Sequence, residues 1–460
     1  MSQSISSETP ASKSDISRTS TYLYAQEPFE TFQHRVRVLC TNLWPSVPPN
    51  AITIKHMFGG SYNRVIGITV STPHAPGCVA GPSEYVLRIP RYAGTRIEPE
   101  LATISFIQDN TTIPIPAVVS FDLTRENPIE HSYNIQSRMP GVRLDKIYKT
   151  LSQAERLSIV RQLAHILLEM HNVRSPTPGF LDASRFVPRH GGTGGGLVPE
   201  VLVVGFGTNI VGLKGSRDPR HFEDGPAKSK STCQLLIDQF DGWQAFDLRN
   251  SCREETTVEF YGRLRALTRE MERLGFLKDS ETSFALFHPD FAPRNILAHK
   301  EGQGDDDETS VWKISAVLDW DRTGFMPWPV VCTPPTWIWS DSWGDDGEDD
   351  EDEAVLWETP DDPEFRERKE LFDSLMGTAY TDHAYSAQCR FVRRLFYFAS
   401  YGFNTDQQYK YLDKFYEEWK EAYGTIEEAQ EAPVSKRNKR SFYRRTSNFR
   451  DKFRGCCCVQ

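Results

Sequence analysis

Two short stretches of the chain hold carboxylates and an amide at a spacing suited to phosphoryl transfer. In LFHPDFAPRNILAH, His288, Asp290 and Asn295 fit the pattern H-x-D-x-x-x-x-N. An aspartate placed there accepts or orients the proton of a substrate hydroxyl, and an asparagine five residues on reaches back to a metal ion. In the second stretch, Val317-Leu318-Asp319-Trp320-Asp321, an apolar strand ends in a carboxylate. Asp319 is the candidate to join Mg²⁺ to nucleotide phosphates. Between the two lies EGQGDDDET, an acidic turn with glycine, so a hairpin would let both carboxylates emerge from adjacent strand ends. A plain hairpin with two unrelated aspartates is the bland alternative. The apolar residues flanking both stretches favour the catalytic one.

The same chemistry needs a cation and a covering loop for the phosphates. Gly59, Gly60 and Ser61 form a turn between two strand-like runs, and glycine lets a backbone approach phosphate closely. Arg88 stands on the third strand-like run, where a kinase places its phosphate-binding lysine, and Glu100 opens the following helix, where the ion-pair partner belongs. Each alone is ordinary, since such charges usually face solvent. Their order along the chain is what singles them out.

The strings FGGSYNRVIG, YVLRIPR, PELATISFIQDNTTIPIP, HPDFAPRN and VLDWD together resemble the aminoglycoside phosphotransferase family, and TPPTWIW is similar to its fungal members. The pair HPDFAPRN and LDWD is the most specific part. The resemblance implies an α+β, bilobal, protein-kinase-like fold: a small antiparallel β-sheet lobe with one helix, and a larger, mainly helical lobe. It implies nucleotide held between them and a hinge near Ser137–Gly141. The family's base role maps to Asp290 and its metal roles to Asn295 and Asp319. Two departures stand out. Arginine replaces lysine at position 88, keeping the charge but changing shape and donors. LDWD is not D-F-G and no A-P-E segment follows, which disfavours a protein kinase.

Periodicity supplies the elements that must position these groups. A helix is expected over Pro28–Leu43, with Phe29, Phe32, Val36, Val38 and Leu39 on its apolar face. Strands are expected at Ala51–Met57, Arg64–Val70 and Glu84–Arg91, a helix at Ile97–Gln108, then strands at Ile115–Leu123 and Ser132–Met139. Past Pro140-Gly141, Ser152 and Glu155 give a capping-box signature for a helix carrying Leu157, Val160, Leu163, Ala164 and Leu167. Further helices are expected near Val258–Leu274, Pro363–Met376, Ala387–Ser400 and Asp406–Tyr423. The expected division is a disordered start at 1–20, a nucleotide-covering lobe at 21–139, a catalytic lobe at 140–430 and a basic tail at 431–460. Seven tryptophans fall between Trp312 and Trp357. They read either as aromatic walls for a cationic or sugar-like acceptor or, more plainly, as core.

Over 460 residues the formal net charge is −10, which argues against nucleic-acid binding by the main body. None of the nine cysteines forms a CxxC pair, so no zinc or dithiol site is expected. The Ser-rich start lacks the apolar segment of a secretory signal, and no apolar run reaches membrane-spanning length. After Glu431 the balance reverses. KRNKRSFYRRTSNFRDKFR leads into Gly455-Cys456-Cys457-Cys458-Val459-Gln460, whose last four residues fit C-a-a-X. Farnesylation of Cys457 and palmitoylation of Cys456 are expected, leaving a cytoplasmic protein peripheral on the cytosolic face of a membrane with anionic lipid. The reading is an ATP- and Mg²⁺-dependent phosphotransferase acting on an unidentified small-molecule hydroxyl. The alternative is a catalytically weak pseudokinase serving as a lipid-anchored scaffold.

Overall fold

The computed structural model describes residues 24–57, 62–71, 83–92, 95–176, 178–181, 203–204, 231–250, 254–278, 284–301, 311–321, 323–340, 358–403 and 406–424. Helix α1 (Phe29–Leu43) starts behind Pro28 and buries Phe32, Val36, Leu39 and Cys40, one helical stripe. Val38, expected on that stripe, is half exposed, because it sits two positions from Val36 and so points away. Strands β1 (Ile52–His56), β2 (Asn63–Val70) and β3 (Ser83–Pro90) follow, then helix α2 (Glu98–Asn110) and strands β4 (Val118–Asp122) and β5 (Tyr133–Ser137). The five strands form one antiparallel sheet in the order β1-β2-β3-β5-β4. This is the small lobe that the resemblance implied.

Helix α1 covers one face of that sheet through Ile66, Ile68, Leu87, Ile89 and Ile135. Helix α2 behaves differently. Leu101 to Ile107 are all buried, so its middle has no solvent stripe, as expected of a helix enclosed on every side, and only its last turn, Gln108 to Asn110, is exposed. Its Ile104, Phe106 and Ile107 join the core of the larger lobe, where Phe106 meets Phe325 edge-on at 6.0 Å. One helix thus ties the sheet lobe to the body beneath it.

The larger lobe begins with β6 (Val142–Arg143), the short helix α3 (Leu144–Ile147) and α4 (Gln153–Asn172). Ser152 and Glu155 cap α4 reciprocally, the expected capping box. Next come β7 (Arg174–Ser175), β8 (Phe180–Leu181), β9 (Val203–Val204), α5 (Thr232–Asn250), α6 (Glu254–Arg273) and β10 (Phe284–Phe287). The chain continues through β11 (Ile296–Glu301), β12 (Val311–Val317), β13 (Gly324–Pro327), α7 (Trp328–Val331), α8 (Pro363–Met376), α9 (Thr378–Ala384), α10 (Ala387–Tyr401) and α11 (Asp406–Tyr423). Helices dominate, and the strands make two three-stranded ribbons, β13-β10-β7 and β12-β11-β6. Two apolar cores result: one under α4 and α8, the other among α5, α6, α10 and α11, with Trp328 touching both. Among the described residues no helix is long and apolar enough to cross a membrane.

The segment joining the lobes is held from both ends. Ser137 donates its N–H to Ala117, and Arg138 donates to Glu84, both within the small sheet. On the other side β6 pairs with β11, and the Ser315 hydroxyl donates to the Pro140 carbonyl. Gly141 lies at φ +111°, and a Cβ there would sit 2.5 Å from the Ala298 carbonyl oxygen. Only glycine fits this crossing.

Candidate active site

Antiparallel pairing of β11 with β12 sets the geometry. Ile296 faces Val317, so Asn295 and Leu318 meet just beyond the ladder, and Leu318 donates its N–H to the Asn295 carbonyl at 2.7 Å. The next residue, Asp319, therefore emerges beside the turn that carries Asp290. Its φ of +63° places it in the left-handed region, which aspartate tolerates better than most residues.

His288 joins the two segments. It is buried against Trp320, 4.9 Å between ring centroids, and accepts the Asp290 N–H through Nδ1 at 3.1 Å. That bond assigns the proton to Nε2, which donates to the Leu318 carbonyl at 2.9 Å. Burial lowers the imidazole's pKa, against the opposing pull of the Leu318 carbonyl, Asp319 and Asp290. The ring is a neutral strut.

Both oxygens of Asp290 are oriented by its own loop. Asn295 Nδ2 donates to Oδ2 at 2.7 Å and to the Asp290 carbonyl at 3.0 Å, while Arg294 pairs with Oδ1. With its NH₂ committed, Asn295 has only its amide oxygen to offer a cation. The loop rests on Trp337, whose indole N–H donates to the Phe291 carbonyl at 3.1 Å and whose ring meets Tyr148 edge-on. Trp320, Trp337 and Trp339 are core residues, so the plainer reading of the tryptophan cluster holds for them. Trp343 and Trp357 lie outside the described residues.

From above, Arg88 closes the cluster. Its Nε lies 3.3 Å from Glu100, and one terminal nitrogen lies 3.6 Å from Asp321 and 3.8 Å from Asp319. Burial opposes the guanidinium charge, but Glu100, Asp321 and Asp319 together outweigh it and raise its pKa. Glu100 also accepts from Gln136 Nε2 at 3.0 Å and Asn134 Nδ2 at 3.3 Å, two polar side chains buried on β5. Asn134, Gln136, Asp321 and Arg294 were not singled out from the sequence. A strand with two buried amides on alternate positions, YNIQS, was the available signal for the first pair.

Three carboxylates here surround one guanidinium, leaving about two formal negative charges, which suits a divalent cation. Among the described residues no three His, Cys, Asp or Glu side chains are close enough to hold a metal by themselves. Mg²⁺ commonly takes one or two carboxylates and completes its shell with substrate phosphates and water, so the donor set fits that ion. Gly59, Gly60 and Ser61 lie outside the described residues, as do Cys456 and Cys457; β1 and β2, on either side of the glycine turn, pair antiparallel.

Residues 78–329, more than half of the chain, match the family model described as APH, phosphotransferase enzyme family. Two relatives, subtelomeric hrmA-associated cluster proteins from two strains of Aspergillus fumigatus, are each 27% identical over 127 residues. The match covers 26% of this chain and spans only 23% of their length. Among solved structures, the chain is similar to the apo form of a thermostable mutant of aminoglycoside phosphotransferase APH(4)-Ia, at 15% identity and TM-score 0.40, covering 84% of this chain and 99% of that one. The gentamicin–APH(2″)-IIa complex matches at 12% identity and TM-score 0.42, covering 85% and 96% respectively.

Proposed function

Because the chain belongs to the phosphotransferase enzyme family, we propose that it transfers the terminal phosphate of Mg-ATP to a hydroxyl of a small molecule. One observation carries the reading: Asp290, Asn295, Asp319 and the Arg88–Glu100 pair, from four separate stretches of sequence, are linked by hydrogen bonds and ion pairs into one cluster. Asp290 takes the proton of the acceptor hydroxyl as the hydroxyl oxygen bonds to phosphorus and the bridging oxygen leaves with the diphosphate. Asn295 and Asp319 would hold Mg²⁺, which when bound neutralises charge on the phosphates. Arg88 donates to phosphate, with Glu100 fixing its direction. His288 keeps the base and the Asp319 strand at a set separation.

Arg88 also favours a second reading. Its guanidinium already spans Glu100, Asp319 and Asp321, and its shape differs from the lysine of kinases. A pseudokinase that holds its cleft closed by this ion pairing would look the same without nucleotide. Thermal melting with and without Mg-ATP, followed by single-turnover transfer, separates the two. Active protein should gain roughly 2.7 kcal/mol at a hundredfold excess over Kd. Asp319→Ala should lose the metal-dependent part, and Asp290→Asn should keep nucleotide affinity while turnover falls by about 10²–10⁴. Binding without transfer to any hydroxyl compound of a metabolite panel, and without slow transfer to water, supports the pseudokinase. No shift with ATP or GTP rejects nucleotide use altogether.

We also propose a lipid anchor at the C-terminal end, supported by the sequence CCVQ and the basic stretch before it. A single lipid chain gives only marginal membrane binding, and nearby cationic residues supply the second attraction.

A further inference from the structure

We propose that the outer face of the small lobe carries a second ligand site, built on Arg64, Arg91 and His56, which takes one phosphate-type oxyanion. The strand register separates it from the candidate active site. Arg64 pairs across from Ile89, whereas Arg88 pairs across from Val65. Directly opposed residues share a face, and neighbours along a strand alternate. Arg64 therefore shares the α1 face with Ile66 and Ile89, and Arg88 points to the other side.

Arg64 is an unusual occupant of that face. It is only 8% exposed, yet among the described residues no carboxylate or other acceptor lies within bonding distance of its guanidinium. Its one close partner is the Phe32 ring, 4.0 Å below the guanidinium carbon. A ring face compensates a buried cation only partly. Glu27, which lines the cleft, is engaged by Arg35 at 3.5 Å, and it and Glu30 act on Arg64 through space without reaching ion-pair distance.

The groups beside it add positive charge. Arg91 lines the same cleft, held by Gln26 Oε1 at 2.8 Å and by the Tyr24 ring at 4.2 Å, and His56 completes the wall. Burial first, and Arg91 second, depress the Arg64 pKa to about 10, with Glu27 and Glu30 opposing. Burial likewise lowers Arg91 and His56, and Arg64 lowers His56 further. Arg91 thus disfavours the charge on Arg64, and both arginines disfavour a charged His56 against the pull of Glu30, so an anion beside them would relieve that repulsion.

The cleft is open to solvent on one side and offers about 10 Å³, room for one water-sized group. A nucleotide is far too large, whereas a phosphate can insert one oxygen and leave its remainder at the mouth. Guanidinium forks and an imidazole favour phosphate chemistry over a carboxylate-free neutral ligand. Either a soluble phosphate ester or a phospholipid headgroup presents this group.

The test uses the full chain. Inorganic phosphate is titrated against the wild type, Arg64→Met and Arg88→Met, with the melting temperature and the His56 NMR titration as readouts. The expected result is a saturable rise in melting temperature not reproduced by chloride, kept in Arg88→Met and weakened by about tenfold or more in Arg64→Met. In the wild type, phosphate should move the His56 midpoint upward, a readout that needs no variant. Soluble inositol trisphosphate and phosphatidylcholine vesicles containing phosphatidylinositol phosphate then distinguish the sources. Stronger dependence on Arg64 for one than for the other identifies the ligand. An unmoved His56 midpoint, or an equal phosphate response in wild type and Arg64→Met, overturns the proposal.

Discussion

The imidazole of His288 and the carbonyl of Leu318 are joined by a 2.9 Å hydrogen bond, thirty residues apart in sequence. The same ring accepts the Asp290 N–H, so the base and the strand leading to Asp319 hang from one side chain. A proton on Nδ1 would break the Asp290 bond, and in the neutral Nδ1 tautomer the Leu318 bond is lost as well.

His288→Ala should therefore cost more than the loss of one contact. It strands a buried carbonyl and a backbone N–H and leaves a cavity against Trp320. Together these should remove about 2–4 kcal/mol from the unfolding free energy. Urea denaturation followed by tryptophan fluorescence measures it. A loss within 0.5 kcal/mol, roughly the range of a neutral surface change, would show that the ring is not the strut inferred above.

Arg88→Met should leave Glu100, Asp319 and Asp321 without their shared cation. Nucleotide affinity, by calorimetry with Mg²⁺ present, should fall about 10–100-fold, in line with losing a charge-assisted bond of ~1.5–3 kcal/mol. Arg88→Lys should recover part of it, since one ammonium cannot reach all three carboxylates at once. Unchanged affinity in Arg88→Met would remove Arg88 from the nucleotide site.

Acid should destabilise the larger lobe through His171. The ring is buried, stacked on Tyr380 at 5.7 Å with Trp328 edge-on. Burial, then Arg174, depresses its pKa from 6.5 to about 4, against a bond to the Val331 backbone. Below pH 6.5 the unfolded chain takes up a proton that the folded chain refuses, so stability present at neutral pH is lost as pH falls towards 4. The depression corresponds to roughly 3 kcal/mol at ~1.4 kcal/mol per pH unit. In denaturation series at pH 7 and 4.5, His171→Phe should show a visibly shallower acid loss than the wild type. Parallel losses would assign the acid limb to other groups.

Cys457→Ser should move the protein from the membrane fraction to the cytosol, and neutralising Lys436, Arg437, Lys439, Arg440, Arg444 and Arg445 should give a partial, salt-sensitive loss. Fractionation with an N-terminal tag leaves the C-a-a-X end free. Equal membrane association of wild type and Cys457→Ser would end the lipid-anchor proposal without touching the phosphotransferase reading.

The sequence was most legible where chemistry depends on local spacing. The catalytic turn, its flanking strands and the hairpin to Asp319 could be read because antiparallel pairing makes near neighbours of residues close in sequence. Arg88 and Glu100 could be named from strand and helix order, and they lie at ion-pair distance. Arg294 was not read, since an arginine four residues from an aspartate in a loop looks like any surface charge until a 3₁₀ turn, Pro293–Asn295, brings it round. Helix α5 was missed as well. Gly242 and several aspartates dilute TCQLLIDQFDGWQAFDLRN, and only packing of Leu236, Phe240 and Trp243 against the far helices secures it. Tertiary burial supplies what local propensity lacks there.

The crossing at Gly141 also limits how the two lobes can move. Arg138 is bonded into the small sheet, the Pro140 carbonyl takes the Ser315 hydroxyl and Gly141 is pressed on Ala298, so only the Met139 backbone between them lacks such a tie. Proline fixes its own φ near −65° and confines the ψ of the residue before it. What remains is little more than the φ of Met139, since the Ser315 bond also sets the Pro140 carbonyl. With α2 sunk in the core below and Val317 bonded to the Pro114 carbonyl, the join is a short brace rather than a loose tether, and twisting one lobe on the other would break buried contacts.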